Sequence, residues 1–210
     1  MSGVFEFTQI NGNREKVKLK GSVGASEISL TTDGPIGEKS DFIFSVRRSY
    51  LQLLFSAIGL PFLPTFNDYQ IKYRYKMNRK NEFTLISIGA LDQFKLNKGI
   101  NNPTPDQEYI LTNIPVYEQW SYTIGGVYKH YDEKSNKTIV LSRNMLNNSI
   151  YKYPENDESK PRSLDYISQE MENKFRFEVS QRVNNYKFIY GISSEWAKYT
   201  NSTSRLVSIN

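Results

Sequence analysis

The chain has 210 residues, enough for one or two ordinary domains, and its 38% hydrophobic content and mean hydropathy of −0.58 leave no helix-forming membrane span. It has no cysteine, which excludes disulfides, thiol catalysis and cysteine-held metals. Its net charge of +5 comes from basic residues spread from Arg14 to Arg205 instead of gathered on one segment, which speaks against a nucleic-acid partner.

Aromatic content is 14%, with 15 Tyr and 12 Phe, high for so polar a chain. Alternating strands reconcile the two, because a strand needs only one apolar face. In chain order, strands are predicted over about 4–10 and 16–30, the second with a parity slip between Val23 and Ile28. Residues 42–50 put Phe42, Phe44, Val46 and Tyr50 on one side. Arg47 and Arg48 are neighbours there and must point to opposite faces. Residues 52–67 are oddly apolar for a connector and suggest a contact surface. Residues 68–77 alternate cleanly: Tyr69, Ile71, Tyr73, Tyr75 and Met77 against Gln70, Lys72, Arg74 and Lys76.

Weaker strands follow over about 83–95, 118–131 and 138–149. Residues 163–173 suggest a helical turn. Residues 174–183 set Phe175, Phe177, Val179 and Val183 against Lys174, Arg176, Glu178, Ser180 and Arg182. Residues 186–198 gather Tyr186, Phe188, Tyr190, Ile192 and Trp196 on one side.

The connectors alternate in length. Short polar ones lie at 34–41, 78–82, 132–137 and 184–186, and long proline-containing ones at 52–67, 97–117 and about 149–168. Every tight turn would then sit at one end of an up-and-down antiparallel sheet and every long loop at the other. Outer-membrane barrels sort their loops in this way. A ten-residue strand tilted about 45° rises roughly 23 Å, close to the apolar band of about 25 Å. The expected fold is therefore all-β: an antiparallel up-and-down transmembrane β-barrel, of which about 9–10 strands are present.

On this reading Tyr69, Ile71, Tyr73 and Tyr75 face lipid, while Gln70, Lys72, Arg74 and Lys76 face a wet lumen. The reverse would cost roughly 2–4 kcal/mol for each lipid-facing cation near the midplane. Tyr50, Tyr69, Tyr128, Tyr186 and Trp196 are candidates for the interfacial girdles. One alternative is a soluble β-rich carbohydrate-binding module using Tyr and Trp platforms. Another is a complete eight- to ten-stranded envelope anchor. The N-terminal MSGVFEFTQI has the form of no signal peptide.

His130, the single histidine, lies in VYKHYDE beside a turn and reads as a solvated or interfacial side chain. GSVGAS (21–26) lacks the GK[ST] ending of a phosphate loop. No catalytic, cofactor-binding or metal-ligating set can be assembled. The lumen set Lys72, Arg74, Lys76, Lys174, Arg176 and Arg182 could favour anionic cargo or, the preferred expectation, pair with acidic residues of a separate domain filling the barrel.

One region carries more than pattern. GSVGAS at 21–26, Leu30 and Thr31, GPIG at 34–37 and RRSY at 47–50, followed by LPFLPTFND and the N-R-K-N-E turn, resemble the first barrel strands of TonB-dependent outer-membrane receptors. The likeness covers about 20–95; beyond it only the strand–turn–strand rhythm continues. It implies a barrel of about 22 strands filled by an N-terminal plug. Such receptors take up metal chelates, cobalamin or oligosaccharides across the outer membrane of Gram-negative bacteria. Implied partners are outer-membrane lipid, the receptor's own plug domain and the TonB–ExbB–ExbD energising complex. A surface lipoprotein is a further candidate at 52–67.

Residues 1–210 then read as part of a barrel domain, without plug, TonB box or the remaining strands, and RLVSIN lacks the usual terminal aromatic. Because an open sheet leaves edges that lipid cannot satisfy, residues 1–210 alone are expected not to form a stable pore.

Overall fold

The computed structural model describes residues 8–207. Nine strands form one antiparallel sheet in strict sequence order. They are β1 (Lys18–Val23), β2 (Glu27–Ile36), β3 (Ser40–Ser49), β4 (Phe62–Lys76), β5 (Asn81–Leu96), β6 (Val116–Tyr131), β7 (Ser135–Lys152), β8 (Leu164–Val183) and β9 (Tyr186–Arg205). Each pairs only with its neighbours in sequence, so β1 and β9 are edges and the sheet is not closed on itself. Two helices, α1 (Leu51–Ala57) and α2 (Pro105–Asn113), and a 3-10 turn at Pro154–Asn156 occupy connectors.

The turns are built as polar and glycine-bearing segments dictate. Residues 37–39, 77–80, 132–134 and 184–185 close the hairpins at one end. Gly37 (φ 64°) and Asn184 (φ 53°) supply the left-handed backbone that tight turns need. At the other end lie the long connections 50–61, 97–115 and 153–163.

Several expectations change. The strand expected over 16–30 is a hairpin, β1–β2, whose three-residue turn 24–26 lies where the parity slips. That turn is tight and sits at the long-loop end, so short turns are not confined to one end. Residues 163–173 form no helical turn: β8 begins at Leu164, because pairing with β7 from Lys152 to Ser135 holds the whole segment extended. The helices fall instead inside segments read as plain loops. Residues 8–10 of the strand expected over 4–10 are not in a strand, and 4–7 lie outside the described residues.

Candidate functional site

In an antiparallel ladder, directly opposed residues share a face, so register sorts the side chains. One row joins Phe44, Ile71, Ser87, Ile124, Arg143, Asn173 and Trp196. The row through Lys72 on the other face joins Asp33, Ile43, Ile86, Gly125, Ser142, Lys174 and Glu195. The expected division holds in register. Tyr69, Ile71, Tyr73 and Tyr75 share a face with Phe175 and Phe177, while Lys72, Arg74, Lys76, Lys174, Arg176 and Arg182 share the opposite one. Arg48 lies on the apolar face beyond Val46, and Arg47 on the polar face.

The apolar face is not uniform along its strands. It carries Phe42, Phe44 and Val46 on β3, but Tyr186, Phe188, Tyr190 and Ile192 on β9. The row of Phe44 reaches β9 at Trp196, whereas Ile192 lies in the row of Ser40 and Tyr75. The apolar stripe thus crosses the strands obliquely, drifting about 13 Å along them over about 29 Å of sheet width. Above the stripe the same face becomes more polar, with Asn67, Gln93, Asn147, Gln169 and Thr200, while Leu91 and Trp120 in the row of Asn67 remain apolar. On β7 and β8 Arg143 and Asn173 interrupt the stripe, with Met145 and Met171 one row beyond them before Asn147 and Gln169. Within the stripe, Tyr69 lies across Gly89, where a Cβ would stand 2.3 Å from the ring. An aromatic ring thus covers the glycine's bare backbone.

The polar face is held by ion pairs and carbonyls of the chain itself. Arg74 grips Asp41 Oδ2 with Nη2 at 2.6 Å and Nε at 3.0 Å. Asp41 is 2% exposed and Arg74 12%. Lys72 Nζ donates to the carbonyls of Gln9 (2.8 Å) and Ile10 (3.1 Å). Arg47 bridges Asp68 at 2.7 Å and Glu27 at 3.2 Å. Lys174 meets Glu172 at 2.9 Å and Glu195 at 3.4 Å. Four of the cations on this face are therefore partnered within the sheet and its N-terminal segment.

At the long-loop end the polar face carries a hydrophobic cluster. Phe55 of α1 meets Phe62 edge-on at 5.5 Å, Phe62 stacks on Phe94 at 5.5 Å, and Phe94 meets Tyr117 at 5.8 Å. The loops are laced together over it. Gln107 Nε2 donates to Gly59 O at 2.8 Å and Asn97 Nδ2 to Leu60 O at 2.9 Å. Lys98 Nζ reaches Asn156 O at 3.0 Å and Glu158 at 2.8 Å.

α2 starts with a reciprocal cap: Thr104 Oγ1 accepts from Gln107 N, and Gln107 Oε1 accepts from Thr104 N. Pro105 at the first helical position fits the same start. Asp157 is held below the usual carboxylate range by hydrogen bonds from the hydroxyl and amide of Ser159.

Asn156 is the joint of this cap. It is 6% exposed, has φ 55°, and donates through Nδ2 to Leu111 O (2.7 Å) and Ile114 O (3.0 Å) at the end of α2. Asn156→Ala leaves those carbonyls short of a donor and strains a left-handed residue, so it should cost about 1–3 kcal/mol locally. Proteolysis within 97–115 should rise while hairpin amide protection stays unchanged.

The apolar segment 52–67 divides between roles. Phe55 is packed inward, whereas Leu53 (65%) and Ile58 (71%) are exposed. His130 sits at the hairpin end, with Nδ1 2.7 Å from Asn81 Oδ1 and Nε2 3.2 Å from Asp132. Among the described residues no group of three or more His, Asp or Glu could hold a metal ion. The sequence reading missed Asp33, Asp41 and Asn156 as organising residues. Asp33 and Asp41 are single carboxylates on strands, and only register shows what they face.

No protein-family model matches the chain, and a search of curated proteins returns no significant relative.

Proposed function

We propose that the chain forms part of the wall of an outer-membrane β-barrel of the TonB-dependent receptor kind, serving uptake of a scarce nutrient such as a metal chelate, vitamin or oligosaccharide. The observation that carries this reading is the oblique apolar stripe on one face of an up-and-down sheet, backed by a face of ion pairs. Strands tilted against a lipid slab require such a stripe to run slantwise across them. A soluble sheet packed on a core has no reason to concentrate its apolar residues in a slanted belt and become more polar above it.

Two further observations support the reading: long loops at only one end, and the resemblance of residues 20–95 to the first strands of that receptor family. On this reading the hairpin turns are periplasmic and the laced loops extracellular. The wall itself catalyses nothing. Partners are lipid, a plug inside the barrel and, through the plug, the TonB–ExbB–ExbD complex.

The test places spin labels in the protein in its native membrane. Labels at positions 73 and 177 are expected to be relaxed by lipid-soluble oxygen, and labels at 74 and 176 by a water-soluble nickel chelate. Aqueous contact at 73 and 177 overturns the proposal. A protein that stays in the aqueous phase without detergent would instead support the soluble carbohydrate-binding module.

A further inference from the structure

Residues 8–17, which lead into β1, neither pair as a strand nor leave the sheet. They run crosswise over the polar face, from β4 to β2. Lys72 holds the carbonyls of Gln9 and Ile10. Gly12 N then donates to Asp41 Oδ1 at 3.1 Å, and Asn13 N to Asp33 Oδ2 at 2.9 Å. Arg14 Nη2 reaches Glu38 O in the hairpin turn at 2.8 Å. Gly12 is buried against β3 so closely that a Cβ would stand 2.4 Å from Phe42 O. Only glycine allows that approach. After this belt the chain enters β1, a six-residue edge strand that is exposed throughout and paired only with β2. A short edge strand of this kind is the first element expected to fray.

We infer that residues 9–14 form a strain-relief belt, which transfers any pull on the N-terminal side onto β2, β3 and β4 before it can reach β1. Without the belt, tension would act on the ladder of β1 one hydrogen bond at a time and peel the strand. With it, tension loads several side-chain contacts on three strands together, so they must yield in concert. The belt lies at the hairpin end. On the proposed function this is the periplasmic side, from which an energising complex would pull, and the mechanical role rests on that reading; the clamping of β1 does not.

The test uses variants that leave every wall side chain in place. Gly12→Val drives a side chain into the β3 backbone, and Asn13→Pro deletes one belt N–H. Gly21→Ala, where a Cβ meets nothing within 4 Å, is the control in β1 itself. Hydrogen exchange on the full chain should show β1 amides exchanging at least tenfold faster in both belt variants, with new tryptic cleavage after Arg14 and Lys16. Amides of β7 and β8 should be unchanged, and Gly21→Ala should match wild type.

Pulling from the N-terminus should remove β1 at lower force in the belt variants, as an early step absent from wild type. Wild-type exchange of β1 in both belt variants overturns the clamp. Faster exchange with an unaltered first rupture overturns the mechanical role. A protein that never enters membranes would sink the proposed function, yet the exchange result would still decide the clamp.

Discussion

Asp41→Ala is expected to destabilise the sheet by about 3–5 kcal/mol, among the largest effects of any single substitution in this chain. Asp41 is almost fully buried, and its two oxygens serve different masters: Oδ2 takes both Arg74 contacts, and Oδ1 takes the Gly12 amide. Removing it strands a guanidinium that is 12% exposed and orphans the belt's central N–H. The loss exceeds the worth of the pair itself, because most of it is the penalty of an uncompensated buried charge. Replacing both partners, Asp41→Asn with Arg74→Met, should recover most of it, since a buried ion pair is often no better than a well-packed apolar one. Denaturant unfolding of wild type, Asp41→Asn, Arg74→Met and the double variant forms the cycle, with Asp41→Ala measured alongside as the full truncation. Additive losses in the double variant would mean that the two side chains do not act as a unit.

Ile71→Arg should cost about 2–4 kcal/mol of folding free energy in bilayers, because it places a cation in the middle of the apolar stripe between Phe44 and Ser87. Thr123→Arg, on the polar face between Ile88 and Asn144, should change stability by only about 0.5 kcal/mol. The informative quantity is the difference between the two, measured by urea titration of protein folded into liposomes. A lipid-facing stripe makes position 71 far more sensitive than 123. Equal costs would place both faces in similar surroundings and remove the basis for a membrane-spanning wall.

The hairpin half of the fold was open to reading and the loop half was not. Where one face of a strand is apolar, as at 68–77 or 174–183, alternation announces the strand and its facing. Along Leu164 to Asn173 polar residues such as Gln169, Asn173, Ser168 and Glu172 occupy both faces, which blurs the alternation. There Glu170, Glu172 and Met171 carry helix-favouring character and no period survives to contradict it. Only the partner strand β7 settles the conformation, and pairing is invisible in a single segment.

α2 was legible in principle. Thr104, Pro105 and Gln107 spell a helix start, but they sit inside a proline-rich stretch whose other signals are those of a loop. The belt left no pattern at all. A lone glycine and two backbone amides acquire meaning only once β3 and β4 lie beneath them.

Strict neighbour-to-neighbour pairing has a genetic consequence. No strand depends on a distant one for its place, so a hairpin such as β6–β7 could be deleted or copied in tandem without reordering the rest. The width of such a sheet is adjustable in steps of two strands, and recombination at the tight turns is a route by which sheets of different strand number would arise.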